Sequence, residues 1–540
     1  MIHQRSLATA NIGVGLGAFG VATFMALMQA ISRASLELPF RSPQMYYMSV
    51  TAHGVLMALV FTTFVIMGIG VAFTTKALDR PLAAPKVAWA GFWVALFGTA
   101  GAAWAILTGK ATVLYTFYPP LQAHPVFYIG ATLLVVGSWL WSGVILATYA
   151  AWRRDHPGRP VPLPVHGLLA TILVWLLATV GVAAEMLLQL IPWSLGLSET
   201  VDPLLARMLF WYFGHPLVYF WLIPAYVVWY TVAPRVAGGK LFSDPLARLV
   251  FMLFVILSTP VGFHHQFMDP GIAAGWKMLH TVNTSAILFP SFVTAFTVVA
   301  SFEIAGRVRG GRGLFGWIRA LPWDDPLVSA VLLSMILFAI GGFGGAINAA
   351  FGMNAMIHNT AWIQGHFHLT VGSATALTFM GVSYWLVPKL VQRDLELVLL
   401  AKVQPFLWFI GMVFFSISNH ITGLQGMPRR VYEATYGGSA IAESWKGLTA
   451  LSAVGGIILF ISAAFFLLVM LGTVVAGKRI EQPDIEFAEP VEGAPTTVGW
   501  LDRFWPWFAV AVILVIVSYA YPLLSHLQLE RFGSPGFKPF

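Results

Sequence analysis

The sequence predicts an all-α integral membrane protein with about 13 transmembrane helices. Three observations lead to this fold class. Hydrophobic residues make up 58% of the 540 positions and charged residues only 10%, whereas soluble domains are about a quarter charged. The mean hydropathy is +0.79. The apolar residues fall into stretches of about 20, the length that an α-helix needs to cross a bilayer.

Each transmembrane helix is predicted from one apolar stretch. A helix is the expected spanning element because it satisfies its own backbone polar groups within lipid. The polar segment at 474–503 is predicted to be a solvated loop, and the whole chain, 1–540, is predicted to form a single transmembrane domain. The predicted spans are 12–31, 50–73, 88–108, 126–149, 166–191, 208–232, 248–268, 278–302, 327–350, 360–388, 404–424, 447–473 and 504–526.

The placement of basic residues predicts the orientation of these helices. If the N-terminus is cytoplasmic, about two thirds of the 30 Lys and Arg residues lie on the inner side, as the positive-inside rule requires. The odd number of spans then places the C-terminus outside. The net charge of +8 therefore reflects topology, and no nucleic-acid partner is expected. Cysteine is absent, which excludes disulfides, Cys-ligated iron–sulfur clusters and thiolate copper sites within this chain.

Six histidines in four predicted spans are candidate ligands, and the predicted topology brings all of them towards the outer side. Ionisable groups are costly within a membrane and indicate function by default. Neutral imidazole suits copper, iron and zinc, so the pattern predicts a layer of metal ligands; unrelated structural histidines are the alternative. The six are His53 in the second span, His215 in the sixth, His264 and His265 at the end of the seventh, and His366 and His368 in the tenth.

The tenth span contains two of these histidines two residues apart, in TAWIQGHFHLTVGSATALTFM. Because each residue of an α-helix turns by about 100°, His366 and His368 point to opposite sides and can serve two separate neighbours. His53 and one of this pair could form a bis-histidine haem site. The other could hold a second haem with an open position.

A three-nitrogen metal site is predicted at the end of the seventh span. The adjacent residues His264 and His265 cannot share one helical face, but Pro260 removes a backbone donor just before them and loosens the helix. A third imidazole from another helix would complete the site, and His215 is the candidate.

A row of hydroxyl groups leads from the histidine layer towards the inner surface. His215 and Tyr219 are four residues apart and therefore share one face of the sixth span. These hydroxyls could hold water and carry protons; the alternative is that Ser and Thr bond their own helix or a neighbour. The face continues through Tyr226 and Tyr230, and the eighth span adds Ser291, Thr294 and Thr297.

The motifs AHG, GHPLVYFW, HHQF and GHFH, in the second, sixth, seventh and tenth spans, resemble those of subunit I of the haem-copper oxygen reductases. Helix count and ligand order agree across nearly the whole chain. The sixth-span motif is most similar to the B-type branch, the Thermus-like cytochrome c oxidases. The A-type branch usually has a glutamate where this chain has Leu217, so its second proton channel is expected to be missing.

This resemblance implies a role for each matching residue. Tyr219 would be covalently joined to His215 and would donate an electron and a proton during oxygen cleavage. Asn354 stands where related sequences often have an aspartate, which affects the proton-loading arrangement near the propionate. His53 and His368 would ligate a low-spin b-type haem, His366 a high-spin a-type haem, and His215, His264 and His265 a copper ion. Arg429, Arg430 and His358 would lie at the haem propionates, and Tyr226, Tyr230, Ser243, Ser291, Thr294 and Thr297 would form the proton path.

The implied function is that of a respiratory terminal oxidase that reduces O2 to water with electrons from cytochrome c and translocates protons. The implied partners are a subunit II with a dinuclear copper centre, a soluble electron donor such as cytochrome c, a small accessory helical subunit and membrane lipid. The implied location is a bacterial or archaeal cytoplasmic membrane. The alternatives are a nitric oxide reductase of the same superfamily, against which Tyr219 argues, and a membrane transporter with structural histidines.

Overall fold

The computed structural model describes residues 2–34, 42–481, 484–492, 499–529 and 533–540. Within these ranges the protein is a bundle of helices joined by short connections, including the short helices Gly316–Ala320 and Phe351–Ile357. The helices of 14 residues or more are α1 (Ile2–Arg33), α2 (Pro43–Ala77), α3 (Pro85–Leu107), α4 (Pro125–Asp155), α5 (Leu163–Ser194), α6 (Pro203–Val236), α7 (Asp244–Leu257), α8 (Ala274–Val308), α9 (Pro326–Ala349), α10 (Trp362–Val391), α11 (Val398–Leu424), α12 (Ala440–Ala476) and α13 (Phe504–Gln528).

Several helices begin where the sequence supplies a start signal. Proline tolerates the first turn because its missing N–H would have no partner there. The side chains of Asp202 and Asp325 accept hydrogen bonds from the first backbone amides of α6 and α9, which satisfies otherwise orphaned donors. Proline occupies an early position at Pro43, Pro85, Pro125, Pro203 and Pro326.

The seventh predicted span differs from the other twelve. Twelve helices of the described residues are long and apolar enough to cross a membrane, but α7 has only 14 residues. It ends at Leu257, and a separate 3-10 turn, Gly262–Gln266, follows. Pro260 explains the interruption because it cannot donate the backbone hydrogen bond that a continuing helix needs. His264 and His265 therefore lie on a turn, not on the continuous helix that the span 248–268 predicted.

Three long helices widen locally into π-helical turns, at Leu56–Phe61 in α2, Met186–Leu190 in α5 and His368–Thr375 in α10. Such turns often occur at functional positions, since they rotate the helix that follows. The turn in α10 begins at His368 itself, and the turn in α2 begins three residues after His53. Both interruptions therefore adjoin a histidine that the sequence singled out.

Helix α6 lies at the centre of the bundle. In the most apolar 18-residue window of α6, 94% of the residues are buried. The corresponding share is 28% in α1 and in α13, which lie at the periphery.

At one end of the bundle, the short strand Thr200–Val201 pairs antiparallel with the short strand Ser534–Pro535. Part of the predicted loop at 474–503 is fastened to the bundle, because the amide of Ala488 donates to the carbonyl oxygen of Thr231 at 2.6 Å. Residues 482–483 and 493–498 of that loop lie outside the described residues.

Candidate haem and metal sites

His53 of α2 and His368 of α10 face each other across a cavity of about 210 Å³. Their rings are parallel to within 1°, with centroids 6.1 Å apart. His53 Nδ1 donates to the carbonyl oxygen of Ala22 at 3.0 Å, and His368 Nδ1 donates to that of Gln364 at 2.8 Å. Each Nε2 therefore keeps its lone pair. The separation suits two imidazole nitrogens that each lie about 2 Å from one metal ion, so the pair fits a bis-histidine haem.

His366 lines a second cavity, of about 430 Å³, on the other side of α10. Its Nδ1 donates to the carbonyl oxygen of Gly341 at 2.9 Å, which again leaves Nε2 as the lone-pair atom. Gly345 lies beside this imidazole, since a Cβ built there would be 3.1 Å from His366 Cε1. Thus His366 and His368 serve different cavities, and α10 lines both of them.

Three imidazoles converge on the second cavity. The candidate ligand nitrogens of His215, His264 and His265 all lie within 4.8 Å of one another, and His215 Nδ1 is 3.1 Å from His265 Nε2. His264 Nδ1 is 2.8 Å from Thr284 Oγ1, whose own hydroxyl donates to the carbonyl oxygen of His280 at 2.6 Å. Thr284 therefore accepts the His264 proton and leaves Nε2 free. Three such nitrogens fit a copper ion.

Tyr219 stands one helical turn below His215 on α6, and their ring centroids are 4.9 Å apart. The Nε2 atom of His215 is buried without a hydrogen-bond partner among the described residues, and a buried polar nitrogen without a partner is costly. Trp211 stacks on His265 with ring centroids 3.9 Å apart and an interplanar angle of 9°. The aromatic side chains of α6 thus hold both imidazoles in defined orientations.

The predicted hydroxyl row forms two pairs between α6 and α8. The Tyr230 hydroxyl donates to Thr294 Oγ1 at 2.8 Å, and the Tyr226 hydroxyl approaches Ser291 Oγ at 3.4 Å. The second cavity is lined by Tyr219, Tyr226 and Ser291. Space therefore extends from the three imidazoles to the nearer pair, while the step between the two pairs has no direct side-chain bond among the described contacts.

The two remaining residues of the row lie further from the cavity. Thr297 Oγ1 is buried without a hydrogen-bond partner among the described residues. Ser243 caps α7, where its hydroxyl accepts from the amide of Leu246 at 3.4 Å. Neither side chain lines either cavity. Proton transfer between these two side chains and the second cavity would therefore require intervening water.

Two consecutive arginines border the cavities. Arg429 lines both cavities and Arg430 lines the first. Burial, with the adjacent charge of Arg430, lowers the pKa of Arg429 to about 10, so Arg429 is still a cation at pH 7. Its Nη2 donates to Asn359 Oδ1 at 2.8 Å, and the Arg430 guanidinium lies 4.7 Å from the centroid of the Tyr115 ring. Neither forms an ion pair with a carboxylate of the described residues, which fits anionic groups in the cavities.

His358 and Asn354 form a neutral pair at the second cavity, which both residues line. His358 Nδ1 donates to Asn354 Oδ1 at 3.0 Å, and Asn354 Nδ2 donates to the carbonyl oxygen of Asn348 at 2.7 Å. Burial lowers the pKa of His358. The amide satisfies a donor and an acceptor at once, which an ionised aspartate at this position could not do.

Two buried residues that no sequence motif singled out also lie at these sites. Arg33, at the end of α1, is 8% exposed, lines the first cavity and donates to Gln364 Oε1 at 2.7 Å. His280 of α8 contacts the turn that carries His264. The available signal was the same for both, an ionisable residue within or next to an apolar span.

Comparison with known proteins gives one consistent result. Residues 6–458 match the family model described as Cytochrome C and Quinol oxidase polypeptide I. The chain belongs to this family.

Two relatives and one solved structure support this membership. The cytochrome c oxidase subunit 1 of Thermus thermophilus is 45% identical over 93% of this chain and 89% of its own length. A probable cytochrome c oxidase subunit 1-beta of Nocardia farcinica is 26% identical, over 83% of this chain and 75% of its own length. A haem-copper terminal oxidase solved by cryo-electron microscopy as a dimer matches with a TM-score of 0.95 and 38% identity, covering 99% of this chain and 95% of the other.

Membership in the oxidase polypeptide I family confirms the fold class and the placement that the motifs predicted. The protein is a multi-pass membrane protein with the haem-copper oxidase subunit I fold, and the match to the Thermus protein agrees with the B-type branch. It is the catalytic subunit of a terminal oxidase, a family that binds haems and copper. The two cavities and their histidines fit these groups.

Proposed function

We propose that this chain reduces O2 to water at a haem–copper centre with electrons from cytochrome c, and couples the reaction to proton translocation. The observation that carries the proposal is the shared helix α10, which presents His368 to one histidine-lined cavity and His366 to the other. One helix thus joins a site with two opposed imidazoles to a site with three convergent ones. Such an arrangement suits electron transfer from the first site to chemistry at the second.

His53 and His368 would hold a low-spin haem, b-type by the resemblance, and His366 a high-spin haem of a-type. His215, His264 and His265 would hold the copper ion. When bound, these groups supply the electron transfer and the binding and reduction of oxygen. The carbonyl oxygens that accept from Nδ1 of His53, His366 and His368 fix each ring, because the tautomer and orientation are set together.

Tyr219 would donate a proton and an electron when the O–O bond is cleaved. Its ring lies beside His215, whose Nε2 atom has no hydrogen-bond partner, and this contact supports the covalent His–Tyr link that the resemblance implies. A phenol at this position lets the site deliver several electrons together. Partly reduced oxygen would then not be released.

Arg429, Arg430 and His358 would contact the haem propionates. The two guanidinium groups have the planar, forked geometry that carboxylates prefer. Arg429 borders both cavities, so one cation can neutralise an acidic substituent of each haem. The buried Nη2 atom of Arg430, which has no hydrogen-bond partner in the described part of the chain, would acquire one.

Protons would reach the second cavity from the cytoplasmic side. The Tyr230–Thr294 and Tyr226–Ser291 pairs, together with Thr297, Ser243 and water, would form the path to Tyr219. Electrons would enter from the outer side. Because the two charges arrive from opposite sides, each turnover moves charge across the membrane even without additional pumping.

Other subunits would complete the enzyme. The chain has no cysteine, so a dinuclear copper entry centre would belong to a subunit II that receives electrons from cytochrome c or a similar soluble donor. That subunit would also provide an acidic residue at the entrance of the proton path, and a small helical subunit would accompany it. The complex would lie in a bacterial or archaeal cytoplasmic membrane, with the N-terminus of this chain in the cytoplasm and its C-terminus outside.

Oxygen consumption by the purified complex with reduced cytochrome c tests this proposal. We expect four electrons to be consumed per O2 without accumulation of peroxide. After the metals of other subunits are subtracted, metal analysis should find copper and two irons per copy of this chain. A third iron in place of copper, with turnover of nitric oxide, would instead identify a nitric oxide reductase. A complex without haem absorption would contradict both and favour a transporter.

A further inference from the structure

The turn that carries two of the three proposed copper-ligating imidazoles follows a stretch of irregular backbone. Helix α7 ends at Leu257, and the chain reaches Gly262–Gln266 through residues that are neither helix nor strand. Backbone amides and carbonyls in this stretch therefore lack regular partners. Within a membrane an unpaired backbone group is costly because no bulk water can replace the missing bond.

The hydroxyl of Tyr519, on α13, bridges this gap in the backbone. It donates to the carbonyl oxygen of Thr259 at 3.1 Å and accepts from the amide of Gly262 at 2.9 Å. A hydroxyl has one proton to give and lone pairs to receive, so both bonds form together. Tyr519 is 2% exposed, and a side chain from the far end of the sequence thus connects the two sides of the proline interruption.

His280 of α8 holds the next residue of the turn. The amide of Phe263 donates to His280 Nδ1 at 3.1 Å. Because Nδ1 accepts, the ring proton is on Nε2, which lies 3.3 Å from the carbonyl oxygen of Ser518 on α13. The imidazole also lies on the Phe263 ring, with centroids 4.4 Å apart. Both nitrogens of His280 are therefore engaged by backbone, and the ring links the turn to α13 without acting as a metal ligand.

The fit between the turn and α13 is close. A Cβ at Gly262 would lie 2.4 Å from the Tyr519 hydroxyl and 2.3 Å from the carbonyl oxygen of Trp211. Only glycine allows the turn to lie this near to α6 and α13 at once. Asn283 is a third side chain that holds this stretch, since its Nδ2 donates to the carbonyl oxygen of Pro260 at 2.9 Å.

We propose that Tyr519 and His280 are positioning residues that hold the 3-10 turn by its backbone and thereby place His264 and His265 for copper. The inference rests on the proposed copper site. Among the described contacts, neither residue touches the candidate ligand nitrogens. Tyr519 bonds the backbone of Thr259 and Gly262, and His280 bonds that of Phe263, the residue before His264. Rigid support of ligands contributes directly to metal affinity, and its loss typically weakens binding about 10- to 100-fold.

Tyr519→Phe in the complete complex tests this inference, because it removes the hydroxyl and keeps the ring. The matched control is Tyr521→Phe on the same helix, whose side chain is 65% exposed. We expect Tyr519→Phe to keep both haems but to lose copper to a copper(I) chelator about tenfold faster than wild type. The infrared stretching band of carbon monoxide on the reduced copper should also shift or broaden. The control should match wild type in both measurements.

Wild-type copper retention and an unchanged carbon monoxide band in Tyr519→Phe would overturn the inference. If that variant does not assemble with its haems, His280→Gln and His280→Leu decide, because glutamine retains an acceptor for the Phe263 amide and leucine does not. Equal copper retention in these two variants would then refute the positioning role. Absence of copper from the wild-type chain is a separate result, which would refute the proposed function first.

Discussion

The two cavities beside α10 use the same residue type in opposite ways. In the first, His53 and His368 lie parallel, and a carbonyl oxygen fixes each ring. In the second, His366 shares the cavity with three imidazoles that contact each other, and one of these, His215, has a buried nitrogen without a partner among the described residues. The first arrangement would hold one metal ion between two opposed imidazoles, whereas the second leaves room between the candidate ligands.

The difference explains why a hydroxyl row reaches only one cavity. An electron carrier needs no proton at its metal, and no side chain of the proposed path lines the first cavity. The second cavity includes Tyr219, Tyr226 and Ser291 among its lining residues. The cavity with two opposed imidazoles is therefore separate from the proposed proton path. The cavity with three convergent imidazoles is connected to it.

Converting the closed site into an open one should have the greatest effect. His53→Ala removes one of the two opposed imidazoles, so the first haem should become high-spin and bind carbon monoxide. We expect steady-state turnover with cytochrome c to be abolished, because electrons enter through this haem. Carbon monoxide difference spectra check the change, with His156→Ala, directly after the last residue of α4, as control. An unchanged fraction of haem that binds carbon monoxide would contradict the assignment of His53.

Removing the phenol from the open site should have the next largest effect. Tyr219→Phe should retain both haems but reduce oxygen turnover at least about 100-fold, the usual contribution of a positioned proton donor. Oxygen consumption measured beside haem content checks this. Tyr212→Phe, on the same helix but lining neither cavity, should behave as wild type. Full oxygen turnover in Tyr219→Phe would contradict the proposed role of Tyr219 as a proton and electron donor.

Interrupting the proton path should slow the enzyme without altering either haem. Thr294→Val removes the acceptor for Tyr230. Because one hydrogen bond contributes about 1 kcal/mol net, we expect proton uptake to slow roughly fivefold to tenfold. Proton uptake by the complex in sealed vesicles measures this rate. Thr281→Val on the same helix, whose hydroxyl bonds only its own backbone, is the control, and equal rates in the two variants would contradict the path.

Restoring the acidic group at Asn354 should have the smallest effect. In Asn354→Asp the carboxylate can still accept from His358, but it cannot donate to the carbonyl oxygen of Asn348. A carboxylate that faces a carbonyl oxygen is unfavourable. The pKa of the new aspartate should therefore lie above that of an aspartate in water. We expect turnover to change less than about threefold, and the midpoint potential of the high-spin haem to become more dependent on pH. If the midpoint potential of the high-spin haem keeps its wild-type pH dependence, the side chain at position 354 does not interact electrostatically with that haem.

Hydropathy predicted most of the fold because a continuous apolar run of about 20 residues indicates a spanning helix whether its side chains face neighbouring helices or lipid. The exception at 248–268 shows the limit of this reasoning. An apolar run with one proline has the same hydropathy whether the helix bends or ends. In the structure α7 ends at Leu257, and side chains of α8 and α13 bond the backbone that follows. Likewise, the π-helical turn that begins at His368 has no signature in hydropathy.

The sequence predicted the candidate ligands and named His215 as the partner of His264 and His265, but only the resemblance paired His53 with His368. Spacing separated His366 from His368, yet left open which of them faces His53. The structure answers this by the parallel rings of His53 and His368. Contacts such as that of Tyr519 with Gly262 join residues 257 positions apart, and no local pattern in the sequence connects them.

The central claim is that one cavity holds a closed haem and the other an open haem beside copper. A reduced-minus-oxidised optical spectrum of the purified complex, with and without carbon monoxide, tests it directly when copper and iron are counted in the same sample. We predict two haems, of which one binds carbon monoxide, and one copper assigned to this chain. Carbon monoxide binding at both haems or at neither, or a chain without copper, would contradict the account.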